Sequence, residues 1–348
     1  MKAARLTGIR QFEITDVPMP KLRPDWVLVR MHSVGVCGSD IHYYSEGKIG
    51  DQIVKYPFSV GHECAGVVEE VGKGVRKLKT GMRVTIDPAM PCGKCYLCKM
   101  GQENICLDMK FLGCPGQAEG SLSEYIAMPE ENCLPIPGSM TLDEAVMTEP
   151  LSIAIHAAQL SNIKRGETVA VLGSGPIGLL TMMTAIKYGA GKAFSTDIIP
   201  ERVAFAKKMG ASKSFNCKNG DVIGEIKKAT RGRGVDIAFE CAGEQDALDQ
   251  AAQILRPGGR LLILGIPSVE RISFVSILVR RHEITIQNVR RQNRNVEEAI
   301  QLAGRKKLDT GRLVTHHYPF EKVGDAYDLV SRYADGVIKA IIAFGDEE

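Results

Sequence analysis

Residues 168 to 178 of the chain are Thr168-Val169-Ala170-Val171-Leu172-Gly173-Ser174-Gly175-Pro176-Ile177-Gly178. An apolar, β-branched run long enough for one buried strand leads directly into a turn with the spacing G-x-G-x-x-G. Glycine permits a tight turn and lets backbone N–H groups approach a pyrophosphate, which the positive end of the following helix stabilises. Glycines at this spacing also occur in ordinary turns, so the position between strand and helix matters. That context predicts a dinucleotide-binding turn made by Gly173, Gly175, Pro176, Ile177 and Gly178.

A carboxylate lies at the end of the strand that follows this turn, where a dinucleotide-binding domain needs one for the ribose. Asp197 ends the next predicted strand, Lys192 to Asp197. There it can accept hydrogen bonds from both ribose hydroxyls of NAD and repel the additional phosphate of NADP, so NAD is expected and NADP is the alternative. Arg202 is expected to be a solvated helix residue, and its alternative role is to face an adenosine phosphate.

The sequence around this turn alternates strands with helices. Such alternation predicts a parallel sheet covered on both faces, which is a doubly wound α/β domain. The further strands are predicted at Val235 to Glu240 and Arg260 to Gly265, and the helices at Ile177 to Tyr188, Glu201 to Met209 and Asp246 to Leu255.

The sequence pattern before about residue 150 is different. Short runs rich in Val and Ile, such as Val27 to Met31 and Ala65 to Val71, are separated by Gly and Pro. This pattern predicts an all-β region that forms a barrel. The last part of the chain loses the strand–helix alternation, and its strand-like segment Val337 to Phe344 can return to complete the first domain.

Four cysteines interrupt the β-rich region in the spacing C-x2-C-x2-C-x7-C. These are Cys92, Cys95, Cys98 and Cys106, on a loop that also contains Pro91 and Gly93. Four thiolates this close in sequence can surround one tetrahedral Zn²⁺ and leave no position open, so a structural zinc is predicted. The alternative is a set of free or disulfide-paired cysteines.

Length, composition and charge exclude several classes of protein. A chain of 348 residues suits two domains, and 44% hydrophobic with 24% charged residues is typical of a globular protein that buries a sizeable core. The net charge of +3 is spread over 44 basic and 41 acidic residues, which gives no nucleic-acid surface.

The N-terminal residues Met1 to Leu6 lack the features of a signal peptide, and no apolar run is long enough for a membrane helix. We therefore expect a cytoplasmic protein without a membrane partner. In that reducing compartment the cysteines are thiols or metal ligands. Those outside the lobe and other than Cys37 are expected to be small core residues: Cys64, Cys114, Cys133, Cys217 and Cys241.

A second group of possible metal ligands lies in the β-rich half. Cys37 occurs in Gly35 to His42, and His62 and Glu63 occur together in Val60 to Gly66, both at glycine-bounded strand ends. Sulfur, imidazole and carboxylate suit a zinc that keeps one position free for substrate. Taken singly, a cysteine such as Cys37 is more often a buried thiol, and a histidine such as His62 is more often a hydrogen-bonded structural residue.

These residues together resemble the zinc-dependent medium-chain dehydrogenases, and within them the sorbitol or polyol dehydrogenase branch. The resemblance runs along the whole chain. It is carried by Gly35 to Tyr43, Gly61-His62-Glu63, the four-cysteine lobe, Thr148-Glu149-Pro150-Leu151-Ser152, Gly173 to Gly178, and Thr315 to Phe320.

The resemblance implies a GroES-like β-barrel catalytic domain formed by residues 1–151 and 290–348, with the zinc lobe at about 90–112. A Rossmann NAD-binding domain formed by residues 152–289 is inserted in it, and the active site lies in the cleft between them. Two zincs per subunit are implied, one structural and one catalytic. Cys37, His62 and Glu63 would hold the catalytic zinc, with Glu149 either contacting the water on zinc or acting as a ligand.

A zinc site of this kind lowers the pKa of a coordinated hydroxyl, so that the alcohol loses its proton and passes hydride to the nicotinamide. The proton must then reach solvent. Ser39 and His42 are the predicted relay; alternatively Ser39 is a turn residue and His42 contacts the cofactor phosphates.

The substrate element departs from the sorbitol-type pattern of an aromatic residue followed by Arg and Tyr. This chain has Arg290, Arg291 and Gln292, with Arg294 nearby. Arg291 and Tyr43 are the expected substrate contacts, and Ser45 and Glu46 are possible rim contacts. The additional cations admit a sugar acid or a sugar-alcohol phosphate as the alternative to a neutral polyol. Arg290 is otherwise expected to face solvent or a subunit interface.

Two other interpretations remain. The same chemistry can act on a vicinal diol, a simple alcohol or a threonine-like substrate. A different class, a zinc-ribbon binding protein with a redox-sensing Rossmann domain, lacks the basic surface that nucleic-acid binding requires. The resemblance also implies a homo-oligomer, a tetramer or a dimer, whose Rossmann sheets pair through segments such as Ile272 to Val279.

Overall fold

The structure is a computed structural model that describes residues 1–345. It divides into two units. The first unit consists of Met1–Glu149 and the described part of Val296–Glu348, and the second is Pro150–Asn295. The first unit is therefore formed by the two ends of the chain.

The elements follow one another in three blocks. The first block contains β1 Lys2–Gly8, β2 Gln11–Asp16, β3 Trp26–Gly35, α1 Gly38–Glu46, β4 Lys48–Ile49, β5 Gln52–Ile53, β6 Glu63–Val71, β7 Arg83–Ile86, β8 Ala89–Met90, α2 Tyr96–Lys99, β9 Lys110–Phe111, β10 Tyr125–Pro129, β11 Cys133–Pro135, α3 Leu142–Val146 and α4 Thr148–Leu160. The second contains β12 Thr168–Leu172, α5 Pro176–Lys187, β13 Lys192–Asp197, α6 Pro200–Lys208, β14 Lys213–Asn216, α7 Val222–Ala229, β15 Val235–Glu240, α8 Gln245–Ile254, β16 Leu255–Ile263, α9 Ser276–Arg281 and β17 Thr285–Asn288. The third contains α10 Val296–Gly304, β18 Val314–Pro319, α11 Val323–Ser331 and β19 Lys339–Ala343. Within the described chain, none of the helices combines the length and the apolar character that crossing a membrane requires.

A seven-stranded sheet forms the centre of the first unit. Its strand order is β11-β7-β6-β3-β19-β18, and β10 also pairs with β3. The β-rich sheet predicted before residue 150 is present, and the last strand returns to it as β19, but the region is not all-β because α1, α2 and α3 lie between its strands. At one end of the sheet Gly35 lies opposite both Glu63 of β6 and Ile341 of β19. This register brings the segments that follow β3 and precede β6 to the same edge.

The second unit contains a six-stranded parallel sheet in the order β14-β13-β12-β15-β16-β17. This is the doubly wound order in which two halves run outward from the first strand of the unit. The predicted α/β class is confirmed. Strands β12, β13 and β15 have the bounds that the sequence predicts, because each is a nearly continuous buried run. The edge strands β14 and β17 were not predicted, since both are short, partly exposed and rich in polar residues.

Candidate metal centres and dinucleotide site

The first candidate metal centre is the cysteine lobe, residues Cys92 to Cys106. Its four sulfur atoms lie within 4.8 Å of one another, with Cys95 Sγ 3.5 Å from Cys98 Sγ and 3.9 Å from Cys106 Sγ. Zn–S bonds of about 2.3 Å in a tetrahedron place sulfur atoms about 3.8 Å apart. The spacing in the lobe therefore fits one zinc enclosed by four thiolates, and it leaves no place for a substrate.

Backbone N–H groups of the lobe contact its sulfur atoms and favour their anionic form. The N–H of Cys92 points at Cys106 Sγ (3.2 Å), and the N–H of Cys95 at Cys92 Sγ (3.4 Å). Hydrogen bonds from the backbone N–H groups of Cys98 and Leu107 lower the pKa of Cys95 to about 6. Burial raises the pKa of Cys98 to about 12. A bound dication would remove the proton of Cys98, since a coordinating thiol is deprotonated.

The second candidate is the mixed cluster, defined by Cys37, His62 and Glu63. One ligand atom from each residue lies within 4.8 Å of the others. Cys37 is the N-cap of α1, and Glu63 is the first residue of β6. A Cβ at Gly35 would lie 2.5 Å from Glu63 Oε2, so only glycine at the end of β3 leaves room for this carboxylate. The three donor types fit a zinc with an open position.

Asp40 orients the histidine of the mixed cluster. Its side chain is fully buried, and its Oδ1 lies 3.3 Å from His62 Nδ1. Burial lowers the pKa of His62, but the negative charges of Asp40 and Cys37 outweigh burial and hold that pKa well above its usual range. Because Asp40 takes the Nδ1–H, Nε2 is left for a metal, which is the usual arrangement around a ligating histidine.

Lys339 contributes a buried cation to the same cluster. Its ammonium donates to a carboxylate oxygen of Glu63 and to the carbonyl oxygen of Val36 (3.1 Å), and the side chain is 1% exposed. Burial lowers the pKa of Lys339, but Glu63 and Cys37 more than compensate and raise it. No motif of the sequence predicts a role for Lys339 or for Asp40. The signal for Lys339 was one charge inside the apolar strand Val337 to Phe344.

Glu149 lies outside the three-residue cluster although the structure buries it. It is in the first turn of α4, with 3% of its surface exposed. Burial raises the pKa of Glu149 to about 7, against the opposing influence of His62. The charges of His62 and Glu63 both influence the pKa of Glu149, so its carboxylate is near them. It is not a member of the group whose ligand atoms lie within 4.8 Å of one another.

Helix α1 carries the other residues predicted around the catalytic zinc. Ser39 Oγ donates to Cys37 Sγ (3.4 Å), and His42 Nδ1 lies 3.0 Å from Glu46 Oε1. Tyr43 is buried, and its hydroxyl donates to Gln52 Oε1 (2.9 Å). Ser39 therefore lies beside the sulfur of Cys37, and His42 contacts Glu46, one turn further along α1.

The glycine turn after β12 has the geometry of a dinucleotide-binding turn. Gly173 has a φ of +96°, and a Cβ on Gly178 would lie 1.8 Å from Gly173 O. A Cβ on Gly175 would meet only the guanidinium of Arg202, at 3.5 Å. Gly173 thus makes the turn, Gly178 allows close packing of α5, and Gly175 leaves open space above the helix N-terminus. Pro176 and Ile177 form the first residues of α5.

Asp197 and Arg202 lie beside this turn. Asp197 Oδ2 accepts the N–H of Ser174 (2.7 Å), and Oδ1 accepts the N–H of Ile199 (2.9 Å). The expectation that Arg202 is a solvated helix residue is wrong, because only 8% of its surface is exposed and its guanidinium lies near Gly175. The local sequence of α6 could not reveal this packing, since it depends on the glycine turn of another element.

The arginine-rich segment 290–295 belongs to the second unit. Arg291 and Arg294 both have left-handed backbone conformations, with φ values of 55° and 61°. Gln292, which replaces the expected tyrosine, is buried and accepts the N–H of Asn295 at 2.7 Å. This hydrogen bond from Asn295 to Gln292 therefore stabilises the turn between the two residues.

Comparisons with known proteins agree with this fold. Residues 23–138 match the family model described as an alcohol dehydrogenase GroES-like domain, and residues 176–305 match that of a zinc-binding dehydrogenase. Sorbitol dehydrogenase of Bacillus subtilis is 38% identical over 342 residues, which are 98% of this chain and 97% of that protein. L-Idonate 5-dehydrogenase of Vitis vinifera is 35% identical over 341 residues, 96% of this chain and 93% of that protein.

A solved structure is similar over its whole length. It is an Escherichia coli oxidoreductase of unknown specificity, 32% identical, with a TM-score of 0.93 and 99% of both chains covered. Fold and sites together define a two-domain, zinc-binding oxidoreductase that acts on CH–OH groups. The chain belongs to the zinc-dependent medium-chain dehydrogenases, in the sorbitol dehydrogenase branch, and the expected GroES-like and Rossmann domains are confirmed.

Proposed function

We propose that the protein oxidises a secondary hydroxyl of a polyol of the sorbitol, xylitol or galactitol type to the ketose, with transfer of hydride to NAD⁺. The observation that carries this proposal is the convergence of Cys37, His62 and Glu63 within 4.8 Å. The 38% identity to a sorbitol dehydrogenase over nearly the whole chain supports the substrate class. The reaction yields ketose, NADH and one proton.

Cys37, His62 and Glu63 would hold the catalytic zinc. Bound there, zinc supplies Lewis acidity that lowers the pKa of the substrate hydroxyl. Asp40 fixes the imidazole of His62, and Gly35 leaves the space that the carboxylate of Glu63 occupies. Glu149 would serve as an additional carboxylate at this site, either as a ligand or as a hydrogen-bond acceptor. The four thiolates of the cysteine lobe would hold the second zinc, whose role is structural.

Ser39 and His42 form the proposed route for the proton. Ser39 lies beside Cys37 Sγ, so its hydroxyl is placed to accept the substrate proton when it turns away from the sulfur. His42, one turn further along α1, would pass the proton to solvent, and its contact with Glu46 holds the ring for that step. Ser39→Ala should reduce turnover and change its pH dependence; an unchanged profile would remove Ser39 from the route.

NAD binds at the glycine turn of the second unit in this proposal. Gly173, Gly175 and Gly178, with Pro176 and Ile177, leave the N-terminus of α5 open to a pyrophosphate. Each carboxylate oxygen of Asp197 accepts one backbone N–H, and these two hydrogen bonds fix its orientation. The remaining lone pairs can accept hydrogen bonds from the ribose hydroxyls. NADP is the less favoured cofactor because its phosphate would meet this carboxylate, with Arg202 as the nearby cation.

A sugar acid or sugar-alcohol phosphate is the second candidate substrate. Arginines at 290, 291 and 294 place several cations in one short segment, and guanidinium groups bind carboxylates and phosphates in a bidentate way. The 35% identity to an L-idonate dehydrogenase supports this candidate. Tyr43 and Arg291 stay predicted substrate contacts under both alternatives.

The protein is further proposed to act as a homotetramer, or a dimer, in the cytoplasm. The parallel sheet ends at β17, whose outer edge is available for pairing with a second copy. Apolar side chains are exposed on the neighbouring segment, at Val269, Val275 and Ile277. The ten free cysteines of the described chain suit a reducing compartment.

The test is NAD⁺ reduction by the zinc-loaded protein with sorbitol, xylitol, galactitol, 2,3-butanediol, an aldonic acid and galactitol 1-phosphate. The proposal predicts the highest kcat/KM for a neutral polyol. Turnover restricted to the acid or the phosphate would favour the second candidate and assign specificity to the arginine segment. Turnover restricted to butanediol, or none at all, would contradict the polyol assignment.

A further inference from the structure

The second unit has a cavity at the opposite end of its parallel strands from the glycine turn. Thr168 is the first residue of β12 and Lys192 is the first residue of β13, and both line this cavity. Arg231 and Arg233, which precede β15, line it as well. The cavity is named here the basic cavity, and its volume is about 350 Å³. It is separate from the dinucleotide site, because ligands of such sheets bind outside the carboxyl ends of the strands and the basic cavity lies at the amino ends.

Three cationic side chains border the basic cavity, and two of them have no anionic partner. Lys192, Arg231 and Arg233 are all exposed, so a dissolved molecule can reach them. Among residues 1–345, the side chains of Lys192 and Arg231 form neither an ion pair nor a hydrogen bond. Their positive charges are therefore available to a ligand.

The carboxylates next to the basic cavity already have cationic partners. Arg233 donates to both oxygens of Asp236 (2.9 and 2.8 Å), and Arg256 Nε donates to one of them (2.7 Å). Burial raises the pKa of Asp236, but the hydrogen bonds from these two guanidinium groups outweigh burial and hold that pKa well below its usual range. Glu167 pairs with Arg260. Two guanidinium groups thus share the single carboxylate of Asp236, and the basic cavity keeps a net positive charge.

A buried hydroxyl adds an uncharged donor to the basic cavity. Thr168 is 8% exposed, and its backbone N–H donates to Asp236 Oδ2 (2.9 Å). Its side-chain Oγ1 has no hydrogen-bond partner among the residues that the structure describes. Gly166 and Gly191 also line the cavity, and a Cβ on Gly191 would lie 2.7 Å from Gly166 O. Because no side chain fills this wall, the hydroxyl of Thr168 is available to a ligand in the cavity.

We propose that the basic cavity binds a phosphate dianion, either inorganic phosphate or the phosphate group of a small phosphorylated molecule. A guanidinium group such as that of Arg231 binds two phosphate oxygens in a bidentate way, and the ammonium of Lys192 acts as a point charge. The hydroxyl of Thr168 donates to a further oxygen. A cleft bordered by charges of one sign also raises the local concentration of ions of the opposite sign. The volume is near the lower limit of about 300 Å³ for ligand pockets, which suits a ligand of this size.

The experiment is titration calorimetry of the zinc-loaded full chain with inorganic phosphate, at constant ionic strength and with saturating NADH so that the dinucleotide site is occupied. The double variant Lys192→Gln/Arg231→Gln should bind phosphate about tenfold or more weakly, because it loses two charge-assisted hydrogen bonds. Thr168→Val, which keeps the shape of the side chain, should weaken binding about threefold through loss of one neutral hydrogen bond. Lys227→Gln/Lys228→Gln is the matched control, since it removes the same charge from the exposed surface of α7 outside the cavity. Its affinity should stay close to that of the wild type.

A parallel titration with glycerol 3-phosphate distinguishes the two sources of the phosphate group. If the ester binds more tightly than inorganic phosphate, and Lys192→Gln/Arg231→Gln weakens it, the ligand is a phosphorylated molecule. If inorganic phosphate binds more tightly with the same dependence, the ligand is the free anion. Unchanged phosphate affinity in Lys192→Gln/Arg231→Gln would overturn the inference, because binding would then occur elsewhere on the chain. An equal loss in Lys227→Gln/Lys228→Gln, or a wild type that binds neither compound, would overturn it as well.

Discussion

The cysteine lobe and the mixed cluster differ in where their candidate metal ligands come from. The lobe takes its four sulfurs from the fifteen residues between Cys92 and Cys106, and the atoms that surround those sulfurs are backbone N–H groups of the same loop. The mixed cluster joins Cys37 to His62 and Glu63 across the sheet, and charged side chains from α1 and β19 contact its members. One site is local and closed; the other is assembled by tertiary structure.

We infer from this difference that the mixed cluster is the catalytic metal site and the lobe the structural one. Four identical anionic ligands satisfy zinc completely, so we expect a zinc in the lobe to serve the stability of the fold. A mixed set of ligands with charged neighbours can be tuned, because Asp40 acts on His62 and Lys339 acts on Glu63. We expect substitutions in the mixed cluster and its surroundings to change chemistry, and substitutions in the lobe to change stability.

The largest effect is expected from His62→Ala. Loss of the Lewis acid removes several kcal/mol of transition-state stabilisation, which corresponds to a fall of about a thousandfold in kcat. The measurement is steady-state NAD⁺ reduction together with the circular dichroism spectrum. His32→Ala, a histidine on the exposed surface of β3, is the matched control and should retain activity. Activity within a few fold of wild type in His62→Ala would place catalysis elsewhere.

The next effect concerns stability. Lys339→Met leaves the carboxylate of Glu63 buried without its cation, and breaking a buried ion pair in this way costs about 3–5 kcal/mol. Urea denaturation should therefore show a lower free energy of unfolding. The double variant with Glu63→Gln should recover much of the loss, because the two residues act as a pair. If the two single effects simply added, the ion pair would not be the reason for the burial of Lys339.

A smaller effect is expected from Asp40→Asn. An amide holds His62 less strongly than a carboxylate, so the affinity of the mixed cluster for Zn²⁺ should fall about 10–100-fold. Competition with a chromogenic chelator measures this affinity, and the zinc of the lobe serves as an internal reference that should not change. Asp143→Asn is the control, since Asp143 pairs with His317 in a partly exposed position. Loss of both zincs in Asp40→Asn would indicate a general disturbance of the fold.

The smallest effect on catalysis is expected from Cys98→Ser. The lobe should lose its zinc and open locally, which limited proteolysis detects as new cleavage between Cys92 and Cys106. The value of kcat/KM at low temperature should stay close to that of wild type, while the thermal midpoint falls. A catalytic defect as large as that of His62→Ala would show that the two sites do not have separate roles.

Much of this organisation could be predicted from the sequence because its signals are local. The strand Thr168–Leu172, the glycine turn and the four-cysteine spacing each lie within a few consecutive residues, and the structure has the strand at the predicted bounds. The mixed cluster required the family resemblance, because no local pattern relates Cys37 to His62 across 25 positions of sequence. Strand register, which no single segment determines, brings them together.

What the sequence did not reveal depends on contacts between distant elements. Arg202 looked like a surface residue of α6, yet its guanidinium packs near Gly175. No local pattern indicates that Lys339 and Asp40 are buried beside Glu63 and His62, because the sheet and helix α1 bring them there. A charged residue in an apolar strand, such as Lys339 among Val337, Ile338 and Ala340, is the local pattern that indicates a buried, paired charge.

We expect one chain to carry two zincs with separate roles. The most direct measurement is the zinc content per chain of the wild type, His62→Ala and Cys98→Ser, determined on the samples used for NAD⁺ reduction. We expect two zincs in the wild type, one zinc without activity in His62→Ala, and one zinc with activity in Cys98→Ser. Two zincs retained in an inactive His62→Ala, or one zinc in the wild type, would contradict it.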